Sequence, residues 1–262
     1  MLIAEFISES KQQANFEKGL RRGQEICIEQ GYKGDFAQKF VQEFAKGYVQ
    51  GCAEASVEVA KNMLKMNWSI TEIAKITGCK KEKILKLIET GGLLMTIDEM
   101  RRELQRRLKK SRFAHSIGVA NTAVKLAKRF GVDENKAYIA GLLHDCAREF
   151  ENDELPAQAQ RRGIFIGEVE RAMPLLLHAY ISAKMIKEIY GVDDAEISQA
   201  IWRHTVGAPD MTKLDKIIYF ADMIEPNRNY PGVEKLRALA ETADLNEIML
   251  TAFSESIIFV VQ

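Results

Sequence analysis

Apolar residues recur at spacings of three and four along most of this 262-residue chain. That period places apolar side chains on one face of an α-helix, and only five prolines are present to interrupt it. The sequence therefore predicts an all-α protein. A chain of this length can form one large domain or two smaller ones.

The composition argues against several classes of protein. Lys+Arg and Asp+Glu number 37 each, so no overall charge favours binding to nucleic acid or to a membrane surface. No apolar run approaches the roughly 18 residues of a membrane span. Glu5 interrupts the N-terminus before a signal sequence can form, and the four cysteines make no Cys-x-x-Cys pair. We therefore expect a cytoplasmic protein without a disulfide framework.

The N-terminal part, residues 1–94, is predicted to be a helical region distinct from residues 95–262, with the boundary at Gly91-Gly92. Apolar residues from Phe36 to Tyr48 fall on one helical face. The helical pattern is weakened by Gly19, Gly23, Gly31, Gly34, Gly47 and Gly51, each of which costs about 1 kcal/mol inside a helix. We expect residues 1 to about 60 to form a helical arm or an oligomerisation element rather than an independent core.

Residues 69–90 predict a hairpin of two short helices. Ser69 and Glu72 form a capping-box pattern, and the turn Thr77-Gly78-Cys79 separates two apolar runs. The lysines of the second helix suit DNA phosphates, but residues 1–94 carry 14 basic against 12 acidic residues. A packing or assembly hairpin is therefore favoured over DNA binding. Residues 1–90 also resemble the helical tail of transposase-like, recombination-promoting nucleases.

Residues 95–262 contain a regular series of helix signals. Thr96, Asp133, Asp193 and Thr212 are predicted N-caps, and Pro174 predicts the start of a helix over 174–190. The tripeptide Gly-Val-Asp occurs twice, ending at Asp133 and at Asp193, and a histidine follows each aspartate by eleven residues. The two histidines are expected at equivalent heights on two capped helices.

All four histidines of the chain fall in this region, each on a separate predicted helix. They are His115, His144, His178 and His204, and their best carboxylate companions are Asp145 and Asp222. Histidines in apolar surroundings are costly to bury without partners, and a metal satisfies all of them at once. Imidazole and carboxylate ligands without thiolates suit Fe, Mn, Co, Ni or Zn. Six ligands suit two metals, with Asp145 as the bridge.

Several linked motifs resemble one family. They are Arg112–Val119, Ala140–Arg148, Leu177-His178, Arg203–Gly207, Met211 and Ile217–Arg228. Together they resemble the HD superfamily of metal-dependent phosphohydrolases, and within it the YqeK family of symmetrical bis(5′-nucleosyl)-tetraphosphatases. The resemblance covers roughly residues 95–262 and implies an HD-domain helical bundle.

The resemblance also implies a di-iron site and a dinucleotide substrate. One metal would be held by His115, His144, Asp145 and Asp222, and the other by Asp145, His178 and His204. The substrate would be diadenosine tetraphosphate, cut in the middle to two ADP. Two metals suit this reaction because they supply a hydroxide at neutral pH and neutralise the phosphoryl oxygens.

Further side chains are expected to hold the phosphates or to assist the reaction. Asp145, His144 and Arg148 are the predicted catalytic residues. The predicted substrate contacts are Arg148, Arg203, Thr205, Lys216 and Arg228. Two alternatives remain open at this point: an HD phosphohydrolase acting on (p)ppGpp or nucleoside polyphosphates, and a DNA-binding or scaffold protein built on the N-terminal helices.

Overall fold

The computed structural model describes residues 3–66, 68–89 and 95–261, apart from the side chains of residues 65 and 259–261. Cα positions group into two compact units, Met1–Leu94 and Met95–Gln262. The described residues form helices and no β-strand, which confirms the predicted all-α class. The predicted boundary at Gly91-Gly92 lies outside the residues described here. No helix in these ranges is both long enough and apolar enough to cross a bilayer.

The helices of the first unit are α1 Glu9–Gln30, α2 Gly34–Lys65, α3 Ile70–Thr77 and α4 Lys81–Glu89, after a 3₁₀ turn at Ala4–Phe6. Helices α1 and α2 form an antiparallel hairpin, in which a Cβ added to Gly19 would lie 2.7 Å from the Cα of Ala45. Gly23 lies in the same way against Val41. Gly19 and Gly23, which the sequence predicts to weaken the helices, also allow the two backbones to approach.

The first unit has a hydrophobic core to which residues 1–60 and the hairpin at 69–90 both contribute. Ala53 and Val57 from α2 pack with Ile73 of α3 and Ile84 of α4, and the 3₁₀ turn adds Phe6. The hairpin of α3 and α4 therefore covers the second half of α2. The predicted capping box of Ser69 and Glu72 is present, and Gly78 makes the turn with a φ of 69°.

The second unit contains ten helices among the described residues: α5 Ile97–Arg107, α6 Lys110–Phe130, α7 Glu134–Leu143, α8 Leu155–Arg161, α9 Glu168–Ala172, α10 Leu177–Tyr190, α11 Ala195–Arg203, α12 Lys213–Ile224, α13 Val233–Thr242 and α14 Leu245–Val261. Short 3₁₀ turns at Cys146–Glu149 and Pro174–Leu176 follow α7 and precede α10. Helix α6 packs on α7 and α12, and α11 packs on α10 and α12. These five helices surround the centre of the unit.

Most of the predicted helix starts are confirmed. Thr96 and Thr212 head capping boxes with Glu99 and Asp215, and Asp133 accepts a hydrogen bond from the backbone N–H of Lys136. The predicted cap at Asp193 was wrong. Asp194 is the N-cap of α11, because its carboxylate is the one that reaches the free N–H groups of Glu196 and Ile197.

Two boundaries near the histidines differ from the prediction. The helix expected over 174–190 begins as the 3₁₀ turn Pro174–Leu176, so α10 itself starts at Leu177. His144 and His204 are C-cap residues that directly follow α7 and α11. They lie eleven and ten residues after their caps, and Asp145 has left the helix altogether. The chain thus turns at the ends of α7 and α11, where His144, Asp145 and His204 lie.

Candidate metal centre

Six side chains converge at the centre of the second unit. His115 comes from α6, His178 from α10 and Asp222 from α12, while His144, Asp145 and His204 come from the turns after α7 and α11. All four histidines and Asp145 are buried. The side chain of Asp222 is 20% exposed, so the cluster reaches solvent on the side of α12. The structure therefore brings together all six of the predicted metal ligands.

The backbone fixes which ring nitrogen of three histidines faces the cluster. The Nδ1–H groups of His144 and His204 donate to the carbonyl oxygens of Gly141 and Ile201, both at 2.7 Å, and His178 donates to Leu175. In each case the acceptor lies three residues earlier in the chain. A neutral imidazole that donates from Nδ1 carries a lone pair on Nε2. These three rings therefore direct Nε2 lone pairs into the site.

His115 is fixed by a side chain instead. Its Nδ1–H donates to Oε1 of Glu225 at 3.0 Å, and Glu225 is 1% exposed. Glu225 also accepts from the backbone N–H of Asn227 at 2.8 Å. The Nε2 atom of His115 lies 3.0 Å from Oδ1 of Asp222. A histidine held by a buried carboxylate in this way is a common arrangement at metal sites, where the carboxylate raises the basicity of the ring.

The two carboxylate oxygens of Asp145 face different histidines. Oδ2 lies 3.6 Å from Nε2 of His144 and 3.8 Å from Nε2 of His115. Oδ1 lies 3.2 Å from Nε2 of His178 and 3.8 Å from Nε2 of His204. One carboxylate therefore lies between two pairs of imidazoles.

The arrangement of the ring nitrogens favours a bound cation. The Nε2 atoms of His178 and His204 are 3.2 Å apart, yet both rings donate from Nδ1 and so present lone pairs to each other. Among the described residues, the buried Nε2 atom of His144 has no hydrogen-bond partner, and that of His115 faces the Asp222 carboxylate. Lone pairs held at such separations repel one another unless a positive charge lies between them. The donor set therefore fits a divalent metal.

Ligand atoms close enough to share one ion form two groups in the part of the chain described. They are His115, His144 and Asp222, and His144, Asp145 and His204; within each group the atoms lie within 4.8 Å of one another. The first group agrees with three of the four ligands predicted for one metal. The second contains His144 where the prediction has His178, because the ring of His144 lies between those of His115 and His204.

Burial and neighbouring charges shift the pKa values of the buried groups in the site. Burial lowers the pKa of His204 to about 3, with a further contribution from the neighbouring imidazoles. Burial also lowers the pKa of His144. Burial alone would raise the pKa of Asp145, but the surrounding histidines outweigh it and hold that pKa well below its usual value. His144, Asp145 and His204 are therefore held in the deprotonated forms that metals bind. Burial acts to lower the pKa of His115, but the carboxylates of Asp222 and Glu225 outweigh burial and raise that pKa.

Three arginines surround the carboxylates. Arg112 donates to Oδ2 of Asp145 at 2.8 Å, and Arg228 donates to the carboxylate of Asp222 and, at 2.8 Å, to its backbone oxygen. Arg148 is half-buried near both aspartates and both other arginines, and burial lowers the pKa of its guanidinium. Within the described residues its side chain makes no hydrogen bond or ion pair, so it is available to an anion.

The other predicted substrate contacts have different surroundings. The Thr205 hydroxyl lies 3.2 Å from Nε2 of His204, at the edge of the cluster. Lys216 instead donates to Oδ1 of Asn246 at 2.9 Å on the exposed surface. Arg203 is paired with the fully buried Asp215 at 2.9 Å and with Asp210 at 3.0 Å. Arg148, Thr205 and Arg228 are therefore at the cluster, while Arg203 and Lys216 are committed to other partners.

Arg112 and Glu225 contact the cluster but are not among the site residues predicted from the sequence. Both lie within motifs that carried the resemblance, at three residues from His115 and from Asp222. Gly118 is a further signal, because a Cβ at that position would overlap the Glu225 carboxylate. A glycine one turn after a candidate ligand can thus indicate that another buried side chain lies against the same helix.

Comparison with known proteins gives consistent relatives. The family model described as "HD domain" matches residues 112–227. A symmetrical bis(5′-nucleosyl)-tetraphosphatase of Bacillus subtilis is 41% identical over 159 residues, which cover 61% of this chain and 84% of that protein. A protein of the same name from Halalkalibacterium halodurans is 39% identical over 160 residues, covering 59% of this chain and 82% of the relative.

A solved structure shows the same likeness in three dimensions. It is a crystal structure from Clostridium acetobutylicum, described as a predicted HD superfamily hydrolase involved in NAD metabolism. It is 38% identical, covers 64% of this chain and 88% of its own, and superposes with a TM-score of 0.61. The matched regions therefore extend over more than four-fifths of each of these relatives.

Proposed function

This chain belongs to the HD superfamily and, within it, to the YqeK family of symmetrical bis(5′-nucleosyl)-tetraphosphatases; from this we propose that it is a metal-dependent hydrolase that cleaves diadenosine tetraphosphate into two ADP. We further propose that residues 95–262 form the hydrolase domain. The observation that carries the proposal is the position of Asp145, whose two oxygens face two separate pairs of imidazoles.

The proposed cofactor is a pair of divalent ions, with iron as the native metal and Mn, Co, Ni or Zn as possible substitutes. His115, His144 and Asp222 would hold one ion, His178 and His204 the other, and Asp145 both. When bound, such a pair supplies a hydroxide at neutral pH and neutralises charge on the phosphoryl group. Support comes from the donor set, since imidazole and carboxylate without thiolate suit these metals.

The chain's own residues have three tasks in this proposal. The backbone carbonyls and Glu225 hold the four rings in the tautomer that leaves Nε2 free. Arg148, which has no partner among the described side chains, binds a phosphate of the substrate. The Thr205 hydroxyl and the Arg228 guanidinium lie at the same cluster and can hydrogen-bond neighbouring phosphate oxygens.

The proposal is tested by following the products from diadenosine tetraphosphate with Mn²⁺ or Fe²⁺ added. The wild-type protein should release ADP alone, and Asp145→Ala should lose the activity. Asp153→Ala, which removes an exposed aspartate from the same unit, is the matched control and should keep it. AMP plus ATP as products, or equal turnover by Asp145→Ala, contradicts the proposal. Parallel assays with (p)ppGpp and nucleoside polyphosphates test the alternative specificity.

A further inference from the structure

The N-terminal unit carries a row of aromatic rings along α2 that is exposed at Tyr32 and Phe36 and half-buried at Phe40, Phe44 and Tyr48. Tyr32 lies just before the helix, and Phe36, Phe40, Phe44 and Tyr48 follow at intervals of four residues. Successive rings from Phe36 to Tyr48 contact one another, with centroids 5.9 to 6.5 Å apart. Phe36 is 61% exposed. A contiguous row of aromatic rings that remains partly exposed to water is typical of a surface that binds a partner.

The same face of α2 continues as small residues. Gly47, Gly51 and Ala55 are exposed, and a Cβ added to either glycine would meet no heavy atom of the described residues within 4 Å. Spacings of three and four keep all these positions on one side of the helix. Helix α2 thus presents three large rings, Phe36, Phe40 and Phe44. They are followed by three positions with little or no side chain, Gly47, Gly51 and Ala55, which we call the notches.

Large and small positions match when α2 is placed against a second, antiparallel copy of itself. With the two-fold axis between residues 45 and 46, Phe44 faces Gly47 of the other copy, Phe40 faces Gly51, and Phe36 faces Ala55. A two-fold interface requires this kind of self-complementarity, because each surface must fit a copy of itself. The ring of one helix would fill the space left by a missing side chain on the other.

The charges at the ends of this face match in the same register. Lys33 of one copy would lie beside Glu58 of the other, with Glu54 one turn away. Both Lys33 and Glu58 are exposed, and neither has an ion pair within the described part of its own chain. Along one helix they are separated by 25 residues, about 37 Å, so they cannot pair within a single copy.

We propose that the chain forms a homodimer through antiparallel pairing of α2 with α2 of a second copy, with Phe36, Phe40 and Phe44 in the notches at Ala55, Gly51 and Gly47. This interface lies in the N-terminal unit and does not depend on the hydrolase function. The second copy is favoured as the occupant because both halves of the complementary surface, in size and in charge, are on one helix.

The charge pair gives the most direct test. By sedimentation velocity on the full-length chain, the wild type should be dimeric in the micromolar range. Lys33→Glu places acid against acid and Glu58→Lys places base against base, so each variant alone should dimerise at least about tenfold more weakly. An equimolar mixture of the two should recover the dimer, because both cross-pairs in the mixed species join opposite charges.

A second pair of variants tests the notch. Gly51→Leu should abolish the dimer while leaving the helix intact, because leucine is a better helix former than glycine. Gln42→Leu, at an exposed position on the opposite side of α2, should remain dimeric. Circular dichroism should show the same helicity for all of these proteins.

Three results would each overturn the proposed dimer: a wild type that stays monomeric throughout the micromolar range, a mixture of Lys33→Glu and Glu58→Lys that does not associate, or a Gly51→Leu variant as dimeric as the wild type.

Discussion

Control of histidine tautomers is the residue-scale feature on which the metal centre depends. Three rings are fixed by carbonyl groups of the preceding turn and the fourth by Glu225. The backbone groups cannot be changed by substitution, since every residue carries a carbonyl. Glu225 is therefore the position where this control can be tested with a side chain.

Substituting Glu225 with glutamine should weaken metal binding without removing a ligand. The change keeps the shape but removes the charge that raises the basicity of His115, and loss of such a partner costs about 10- to 100-fold in metal affinity. The measurement is a Mn²⁺ titration in competition with a chelator. Glu241→Gln, at an exposed position of α13, should bind as the wild type does. Equal affinity of Glu225→Gln and wild type would contradict this role.

Arg148 should act on the substrate and not on the metal. Its guanidinium is half-buried beside Asp145 and Asp222 but has no hydrogen bond or ion pair with a described residue. A charge-assisted hydrogen bond contributes about 1.5–3 kcal/mol, so Arg148→Ala should lower kcat/KM by about 10- to 150-fold. Arg161→Ala, an exposed arginine of α8, is the control. Unchanged kcat/KM, or loss of metal from Arg148→Ala, would show that the assignment is wrong.

At the scale of elements, helix caps place two of the ligands. Helices α7 and α11 both start at an aspartate cap and end one residue before a histidine. The chain turns at these ends, so His144, Asp145 and His204 leave the helices close to one another. The positions of the caps therefore set where the imidazoles lie along the bundle.

The corrected cap of α11 gives a direct comparison between two adjacent aspartates. Asp194→Ala removes the hydrogen bonds to the N–H groups of Glu196 and Ile197 and should reduce the free energy of unfolding by about 1 kcal/mol. Asp193→Ala loses only an exposed pair with Lys187 and should have a smaller effect. Urea unfolding of both variants measures the difference. A larger loss for Asp193→Ala would contradict the structure.

The contribution of Asp194 should also depend on pH. Burial acts to raise its pKa, but hydrogen bonds from Ile197 and Lys136 outweigh burial and hold it below the ordinary value of 3.8. A group whose pKa is lower in the folded state stabilises the fold above that ordinary value and ceases to do so as the pH falls. The stability difference between wild type and Asp194→Ala should therefore shrink below pH 3.8 in unfolding measurements.

At the scale of the whole molecule, the sequence predicted what local patterns determine. The all-α class, three of the four caps in the second unit and the convergence of six ligands follow from apolar periodicity, capping residues and helix-length spacing. Long-range partners were not predictable in this way. The pairing of Arg203 with buried Asp215, and the hydrogen bond from His115 to Glu225, depend on how separate helices pack.

In the N-terminal unit, too, contacts between separate helices were not predictable from local sequence patterns. The apolar pattern of one helix does not reveal that its glycines let a second helix approach. The core of this unit is also completed by residues that lie far apart in the chain. The resemblance of residues 1–90 to the tail of recombination-promoting nucleases stays a prediction, as does the cytoplasmic location.

A two-metal site with Asp145 as the shared ligand is the basis of the proposed hydrolase function. The most direct measurement is the metal content per chain, determined by mass spectrometry after anaerobic loading with Fe²⁺ and removal of free metal. The wild type should contain close to two ions per chain, and Asp145→Asn should contain fewer. One ion or none in the wild type, or two ions in Asp145→Asn, would contradict the account.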